Sequence, residues 1–336
     1  MESTPVFYTY WRFAAERQAI YMRRLQDPVG PWTADPILGS YRFTNAYRAS
    51  DRVSQFLIRE VQYSADRSQE PRELFFRTLL FKVFNRIDTW RALERALGPL
   101  SWAKTDLHAV ARALDELMSQ GERLYSAAYI MPSPALGHAR KHANHLALIK
   151  RMLDDRVPER VRQAPNLRSV YETLLGYPGV GPFLAFQYTI DLNYSALLDH
   201  DEAGFVVAGP GALDGIAKCF ASTGRRSPEE VIHWVCERQE QAFADAGLSF
   251  QTLFGRRLQP IDCQNLFCEI SKYARVAHPD VKGLSGRTRI KQGFRRASES
   301  FPRPFFPPRW RLDVSQASFA PSRHDARPRD LASLFA

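Results

Sequence analysis

Leu174-Leu175-Gly176-Tyr177-Pro178-Gly179-Val180-Gly181-Pro182 runs directly into Phe183-Leu184-Ala185-Phe186-Gln187-Tyr188-Thr189-Ile190-Asp191-Leu192. A helical pattern ends at the leucine pair, a glycine turn follows, and an apolar helical run begins at once. Two helices joined by a hairpin, over about residues 166–193, are the expected local structure. Glycine lets such a turn come close to a phosphate, and the free N–H groups at the head of the second helix point toward it. This arrangement grips a DNA backbone without reading its sequence. Gly176, Gly179, Val180 and Gly181 are the residues that would do so. An ordinary tight turn between packed helices is the plainer alternative.

Outward from this hairpin the periodicity stays helical. Residues 6–25 place apolar groups three and four apart, and similar patterns recur near 50–62, 71–86, 105–119, 138–154 and 166–175. Ser227-Pro228-Glu229-Glu230 has the form of a capping box with proline in the first turn, and Gly247 is a natural stop for the helix it opens. A last helix is expected over about 261–276. Alternating strand patterns are short and scarce. The expected fold is all-α, with a helical body over 1–300 and an arm over 301–336. That arm opens as Phe-Pro-Arg-Pro-Phe-Phe-Pro-Pro-Arg-Trp-Arg, whose prolines forbid a regular helix.

Composition narrows the partners. The chain has 336 residues, of which 45% are hydrophobic, and 22 Phe, 13 Tyr and 6 Trp supply ample core, so wholesale disorder is excluded. No apolar run is long enough to cross a bilayer, and the first residues do not form a secretion signal. Four cysteines are too few for a disulfide scaffold, which points to a reducing cytoplasm. The net charge is +10. From Val281 to the end, 12 Lys/Arg against 4 Asp/Glu give +8 of it. A basic balance of this kind suits nucleic acid. Arg287, Arg289 and Lys291 are candidate phosphate contacts, with a solvated tail as the alternative. Gly209-Pro210-Gly211 before a helix start is a possible second anion cradle.

The hairpin and the acids beyond it resemble the helix-hairpin-helix DNA glycosylase superfamily. That resemblance implies a catalytic carboxylate about twenty residues past the last glycine, where Asp201 stands with Asp199 and Glu202 as competitors. The segment Gly209–Gly215 then intervenes before the next helix, so the choice among the three acids stays open. Glycosylases that cut the strand carry a lysine just after the hairpin; Pro182 and Phe183 occupy that place here, which implies intact strands with abasic sites. The cysteines lack the spacing that holds an iron–sulfur cluster in some relatives.

Five further blocks carry a finer resemblance: residues 31–38, 41–52, 80–90, 208–216 and 261–273. They look like the α-glutamyl/putrescinyl thymine pyrophosphorylase group and the helical domain of hydroxymethyluracil DNA kinases, a branch that includes antiviral glycosylases acting on glucosylated hydroxymethylcytosine. The activity this implies is a monofunctional DNA glycosylase that flips and excises a hypermodified pyrimidine from phage DNA. The alternative is a transferase that displaces pyrophosphate from a modified thymine in DNA and attaches an amine; a non-catalytic DNA-binding module ranks third. No cofactor is required, and a monomer on double-stranded DNA is the expected state.

Read for chemistry, Arg42, Asn45, Arg48, Asp51 and Arg52 are too polar for a plain core element. They suit a pocket for a sugar-bearing base or a diphosphate, or a structural salt-bridge network. Trp32, Phe43 and Tyr47 could stack on a flipped base. On the last helix Asp262, Gln264, Asn265, Glu269, Lys272 and Tyr273 form a polar group, of which all but Gln264 share one face and suit a pocket wall. His138, His142 and His145 have metal-ligand spacing, but Arg140 and Lys141 beside them favour a basic helix that faces DNA. The motif GxxxxGK[ST] is missing, so the chain carries no Walker-type nucleotide kinase module. Nor does it carry GxSxG, which removes the common hydrolase reading.

Overall fold

The structure, a computed structural model, describes residues 1–128, 130–296 and 303–316. In chain order its helices are α1 (Pro5–Gln26), α2 (Pro36–Ser40), α3 (Arg52–Phe56), α4 (Pro71–Phe84), α5 (Ile87–Leu97), α6 (Leu107–Ser119), α7 (Lys141–Asp154), α8 (Val157–Arg162), α9 (Leu167–Leu175), α10 (Pro182–Tyr194), α11 (Pro210–Cys219), α12 (Pro228–Glu237), α13 (Gln239–Asp245) and α14 (Pro260–Ala277). A π-helical stretch, Leu57–Gln62, continues α3. The only sheet among the described residues pairs β1 (Glu2–Ser3) with β2 (Phe220–Ser222), antiparallel. The fold is all-α. No helix among the described residues is long and apolar enough to cross a membrane.

The sequence drew one body over 1–300 with an arm after it. Contacts instead group the described residues into two compact units, Met1–Ser50 with Pro210–Pro304 and residues from Arg311 in one, and Asp51–Gly209 with Phe305–Trp310 in the other. Residues 317–336 of the expected tail lie outside the described ones.

The first unit is built on α14, which packs against α1 and α11. Gly215 is what lets α11 lie so close: a Cβ there would stand 1.9 Å from the Phe267 carbonyl oxygen of α14. Gly211, one turn earlier, faces Cys268 in the same way, with its missing Cβ 2.1 Å from the sulfur. These glycines therefore serve helix packing, and the anion cradle expected around Gly209–Gly211 has its second glycine turned to α14. Asp214 and Lys218 stand on the same stretch of α11 and are buried. Asp214 accepts from Ser271 Oγ and, at 2.6 Å, from the Ser285 amide, while Lys218 donates to the Ser271 carbonyl at 2.9 Å. The network stitches α11, α14 and the 283–285 turn together.

The second unit surrounds α4 and α10, whose sides are buried almost all round. That is the position of helices whose sequences are apolar on every face. Their buried charges are answered locally. Lys82 of α4 meets Asp191 of α10 at 3.1 Å, and Glu73 accepts from the amides of Trp102 and Ala103 at 2.8 and 2.9 Å. Such a buried pair does little for net stability but is costly to break, so it fixes the register of α4 on α10. The pattern at 71–86 ends where Asn85 turns left-handed at φ 49°, capping α4 and releasing α5 in a new direction.

Phe305–Trp310 of the proline-rich stretch belongs to this second unit. Gln55 brackets the Phe305 backbone, accepting from its amide and donating to its carbonyl. Trp310 lies edge-on to Tyr194 and stacked with Phe306. Arg309 donates to the carbonyls of Asn193, Ser195 and Leu198, covering the end of α10 where backbone acceptors have no helical partner.

Gly215→Ala should force α11 from α14 and cost about 2–3 kcal/mol or more, as overpacking against rigid backbone does. Gly204→Ala, where nothing lies within 4 Å, is the control and should stay within about 0.5 kcal/mol of the parent. Urea unfolding measures both; equal stability of the two variants would refute the packing argument.

Candidate nucleic-acid interface and polar groove

The glycine hairpin forms as its residues dictate. Asn166 caps α9, taking the Ser169 amide at 3.0 Å, and the helix ends at Leu175. The turn is closed by Tyr177 N–H to Leu174 O at 3.2 Å and Val180 N–H to Tyr177 O at 3.1 Å. Gly179 has φ +77°, and a Cβ there would stand 3.0 Å from Pro134, so the position admits only glycine without strain. Tyr177 and Val180 are buried and anchor the turn, and the Tyr177 hydroxyl donates to Asp155 at 3.0 Å. Gly176, Gly179 and Gly181 are exposed.

The head of α10, like those of α3, α4, α5, α7, α8 and α13, has no side-chain cap. Thr4, Asp106, Asn166 and Ser227 accept first-turn amides of α1, α6, α9 and α12 with their own side chains. Gly181 caps α10 and has no side chain to offer. Its first-turn donors are thus left to water or to a ligand, at the positive end of the helix dipole. Nothing lies within 4 Å of where a Gly181 Cβ would be. Chemically this is a small anion seat on a rigid support.

The acids 199–202 lie elsewhere in the same unit. Asp199 is 86% exposed at its side chain and pairs with Arg309 Nε at 3.2 Å. Asp201 is exposed and accepts the Ala203 amide at 3.0 Å, as a turn residue does. Glu202 is buried. The Asn193 side chain brackets the His200 backbone, donating to its carbonyl at 3.0 Å and accepting from its amide at 3.1 Å, which holds this loop on α10. Arg309 escapes the sequence reading because arginines scattered among prolines give no spacing signal.

The histidines of α7 turn inward. His145 sits between the Tyr125 hydroxyl and the Pro132 carbonyl, each at 2.9 Å, and burial pushes its pKa down to about 4. His142 is buried with Nε2 3.2 Å from Asp115. The exposed cations of this helix are Lys141 at its start and Lys150 and Arg151 near its end, the latter two paired with Asp154 and Asp155.

In the first unit the polar face of α14 clasps the 35–50 loop. Asp262 accepts from the amides of Arg48 at 2.8 Å and Gln259 at 3.0 Å. Asn265 donates to Thr44 Oγ1 at 3.0 Å, Glu269 accepts the Thr44 amide at 2.9 Å, and Tyr273 donates to Asp35 at 2.6 Å. Lys272 pairs with Glu269 at 2.7 Å and lies over the Phe43 ring. Gln264, Asn45 and Arg48 are buried, and Arg17 of α1 reaches Asn45 at 2.8 Å. Phe43 packs among Phe13 and Tyr273 and does not stand open for stacking. The residues expected to line a pocket thus mostly bind one another and backbone. Arg42 is exposed, while Asp51 and Arg52 belong to the second unit. Trp32 is half-buried under the guanidiniums of Arg24 and Arg296, its indole N–H donating to the Asp27 carbonyl.

Beside this clasp runs a groove of about 870 Å³ along α1. Its polar lining includes Arg12, Glu16, Arg23, Asp35, Gln251 and Tyr273. Glu16 is taken up by Arg23 at 2.9 Å and Thr33 at 2.7 Å, and Asp35 by the α2 amides and Tyr273. Arg12 is exposed and makes no ion pair among the described residues. The groove can hold a polar or anionic group against that guanidinium. Of the residues singled out from sequence only Tyr273 lines it; α1 reads as an amphipathic helix and hid Arg12 and Glu16.

A family model described as "5-hmdU DNA kinase, helical domain" matches residues 4–283. The chain belongs to this family. It is also similar to a 5-hmdU DNA kinase of Bacillus phage SP10, 27% identical over 283 residues, which cover 79% of this chain and 44% of that relative. The chain therefore spans less than half the length of the curated relative. No solved structure matches it.

Membership corrects the activity expected from the sequence. The family is named for a kinase, an enzyme of group transfer, and not for a hydrolase of N-glycosidic bonds. DNA glycosylase action, base flipping for excision, abasic products and antiviral removal of glucosylated hydroxymethylcytosine are overturned as the main reading, and the DNA-modifying alternative is the better supported class. Of the resemblances read from the sequence, the one to the helical domain of hydroxymethyluracil DNA kinases holds, while the wider glycosylase superfamily and its antiviral members are not supported.

Asp262 supplies a pH test of the clasp. Burial pushes its carboxyl up to about 6 despite two amide donors. A folded pKa above the unfolded value of about 4 means that stability is lost as pH rises from about 4 to 6, on the order of 3 kcal/mol. Asp262→Asn removes that pH component while giving up one amide bond, so it should be less stable at pH 4 and nearly level with the parent at pH 7. A parent-minus-variant difference in urea midpoint that is flat with pH would contradict this.

Proposed function

We propose that this chain is the DNA-engaging helical body of an enzyme that modifies the C5 substituent of a pyrimidine in DNA, with 5-hydroxymethyldeoxyuridine as the nucleoside it prefers. The observation that carries the reading is the uncapped head of α10 behind an exposed glycine turn, within a family named for a 5-hmdU DNA kinase. The hairpin 176–182 holds backbone phosphate through main-chain N–H groups, independent of sequence. The groove along α1 takes the hydroxymethyl-bearing base, with Arg12 as its hydrogen-bond donor. Chemistry at the substituent leaves the base on its sugar, so no glycosidic carboxylate is required of Asp199, Asp201 or Glu202.

Gly181→Asp tests the grip. The new carboxylate caps α10 from within, which preserves or raises stability by a few tenths of a kcal/mol or more, and it sets a negative charge where the phosphate belongs. Duplex binding should weaken about tenfold or more with melting unchanged. A variant that binds like the parent would remove the hairpin from the interface.

Recognition is tested with two duplexes that differ only in carrying thymine or 5-hmdU. The parent should prefer the 5-hmdU duplex severalfold, and Arg12→Ala should lose that preference while keeping its affinity for the thymine duplex, as expected for one lost hydrogen bond. Equal binding of both duplexes by the parent would overturn the substituent reading. So would release of free base.

A further inference from the structure

The sixteen residues Val281–Arg296 carry Lys282, Arg287, Arg289, Lys291, Arg295 and Arg296, and no acid. All six cations are exposed, and none makes an ion pair among the described residues. The segment is not loose on the body. Arg42 N–H donates to Gln292 O at 3.0 Å, Phe294 N–H donates to Ser40 O at 2.9 Å, and Tyr41 and Gly293 form an antiparallel bridge. Arg275 of α14 donates to the Arg289 carbonyl at 3.1 Å. At the far end the Arg296 guanidinium lies 4.9 Å over the Trp32 ring. Arg42, also exposed, adds a seventh cation from the partner stretch.

Seven like charges without counter-charges repel one another and disfavour the compact state unless a polyanion meets them. Arg287, Arg289 and Lys291 stand at every second position, and in an extended chain such residues share one side about 6.7 Å apart. The backbone fastening removes much of the ordering cost that a free basic tail would incur on binding. The family match ends at residue 283, so all of this ribbon after Gly283 lies beyond the matched region.

We propose that the ribbon Lys282–Arg296, fastened to residues 40–42, is a second DNA-backbone contact surface, separate from the hairpin and carried by the other unit. The identity of the polyanion rests on the DNA reading given above; the surface itself does not. Its contribution is electrostatic and independent of sequence, and it releases counterions on binding.

The test uses the full chain and an unmodified DNA duplex of about 20 base pairs, with affinity measured from about 50 to 200 mM salt. The variant is Arg287→Ala/Arg289→Ala/Lys291→Ala. These side chains are exposed and unpaired, so the fold should persist, which an unchanged melting curve checks. The slope of log affinity against log salt should become shallower by about 0.9 per contact removed, up to about 2.7, with affinity at low salt about tenfold or more weaker. Arg287→Lys/Arg289→Lys should keep the parental slope. Parental slope and affinity in the alanine variant would overturn the proposal, as would an equal loss in the lysine variant. The two surfaces fail separately. Loss in the alanine variant with full binding by Gly181→Asp keeps the ribbon and removes the hairpin; the reverse pattern removes the ribbon alone. A parent that binds no duplex overturns both.

Discussion

The contact on which the first unit depends is the one between Gly215 and the Phe267 carbonyl. Only a hydrogen fits there, and so α11 lies against α14 backbone to backbone. That closeness places Asp214 and Lys218 where they can meet Ser271 and the turn at Ser285. It also settles which way α14 faces. With one side committed to α11 and another to α1, its remaining polar edge is turned to the 35–50 loop. Asp262, Asn265, Glu269 and Tyr273 then hold that loop by its amides and short side chains. The groove along α1 and the fastening of the basic ribbon at residues 40–42 are both consequences of where the loop is held.

The second unit obeys a different constraint. Its central helices are apolar all round and carry a few charges that have to be answered inside. Lys82 with Asp191 fixes α4 against α10, and Arg309 donates to buried carbonyls at and just beyond the end of α10. With its tail end secured and its core side buried, α10 presents its head as a rigid seat. Rigidity matters because a phosphate held by main-chain donors gains affinity only when those donors are already in place.

The hairpin, the capping box at Ser227 and the long helices α1 and α14 were legible because each rests on local physics: periodicity, glycine, and side chains that cap. The break at Asn85 was not, since asparagine in a left-handed turn carries weaker punctuation than Gly or Pro. The role of α14's polar face was also hidden. Spacing of three and four residues shows that Asp262, Asn265 and Glu269 share a side, but not whether that side meets a ligand or a loop. The buried histidines of α7 and the glycine at 215 posed the same difficulty, because burial by a distant segment leaves no mark in the neighbouring sequence. Function was misread for a related reason. The family branch was recognisable from its blocks, yet three acids near the right spacing suggested a glycosidic carboxylate, where the structure has a turn residue, an arginine partner and a buried glutamate.

Amide hydrogen exchange of the full chain, with and without a 5-hmdU duplex, tests the central claim most directly. The account predicts slowed exchange at the amides of Gly179 to Leu184 when DNA is bound, with α4 unchanged. Unaltered exchange across that turn, with protection confined to other surfaces, would contradict it.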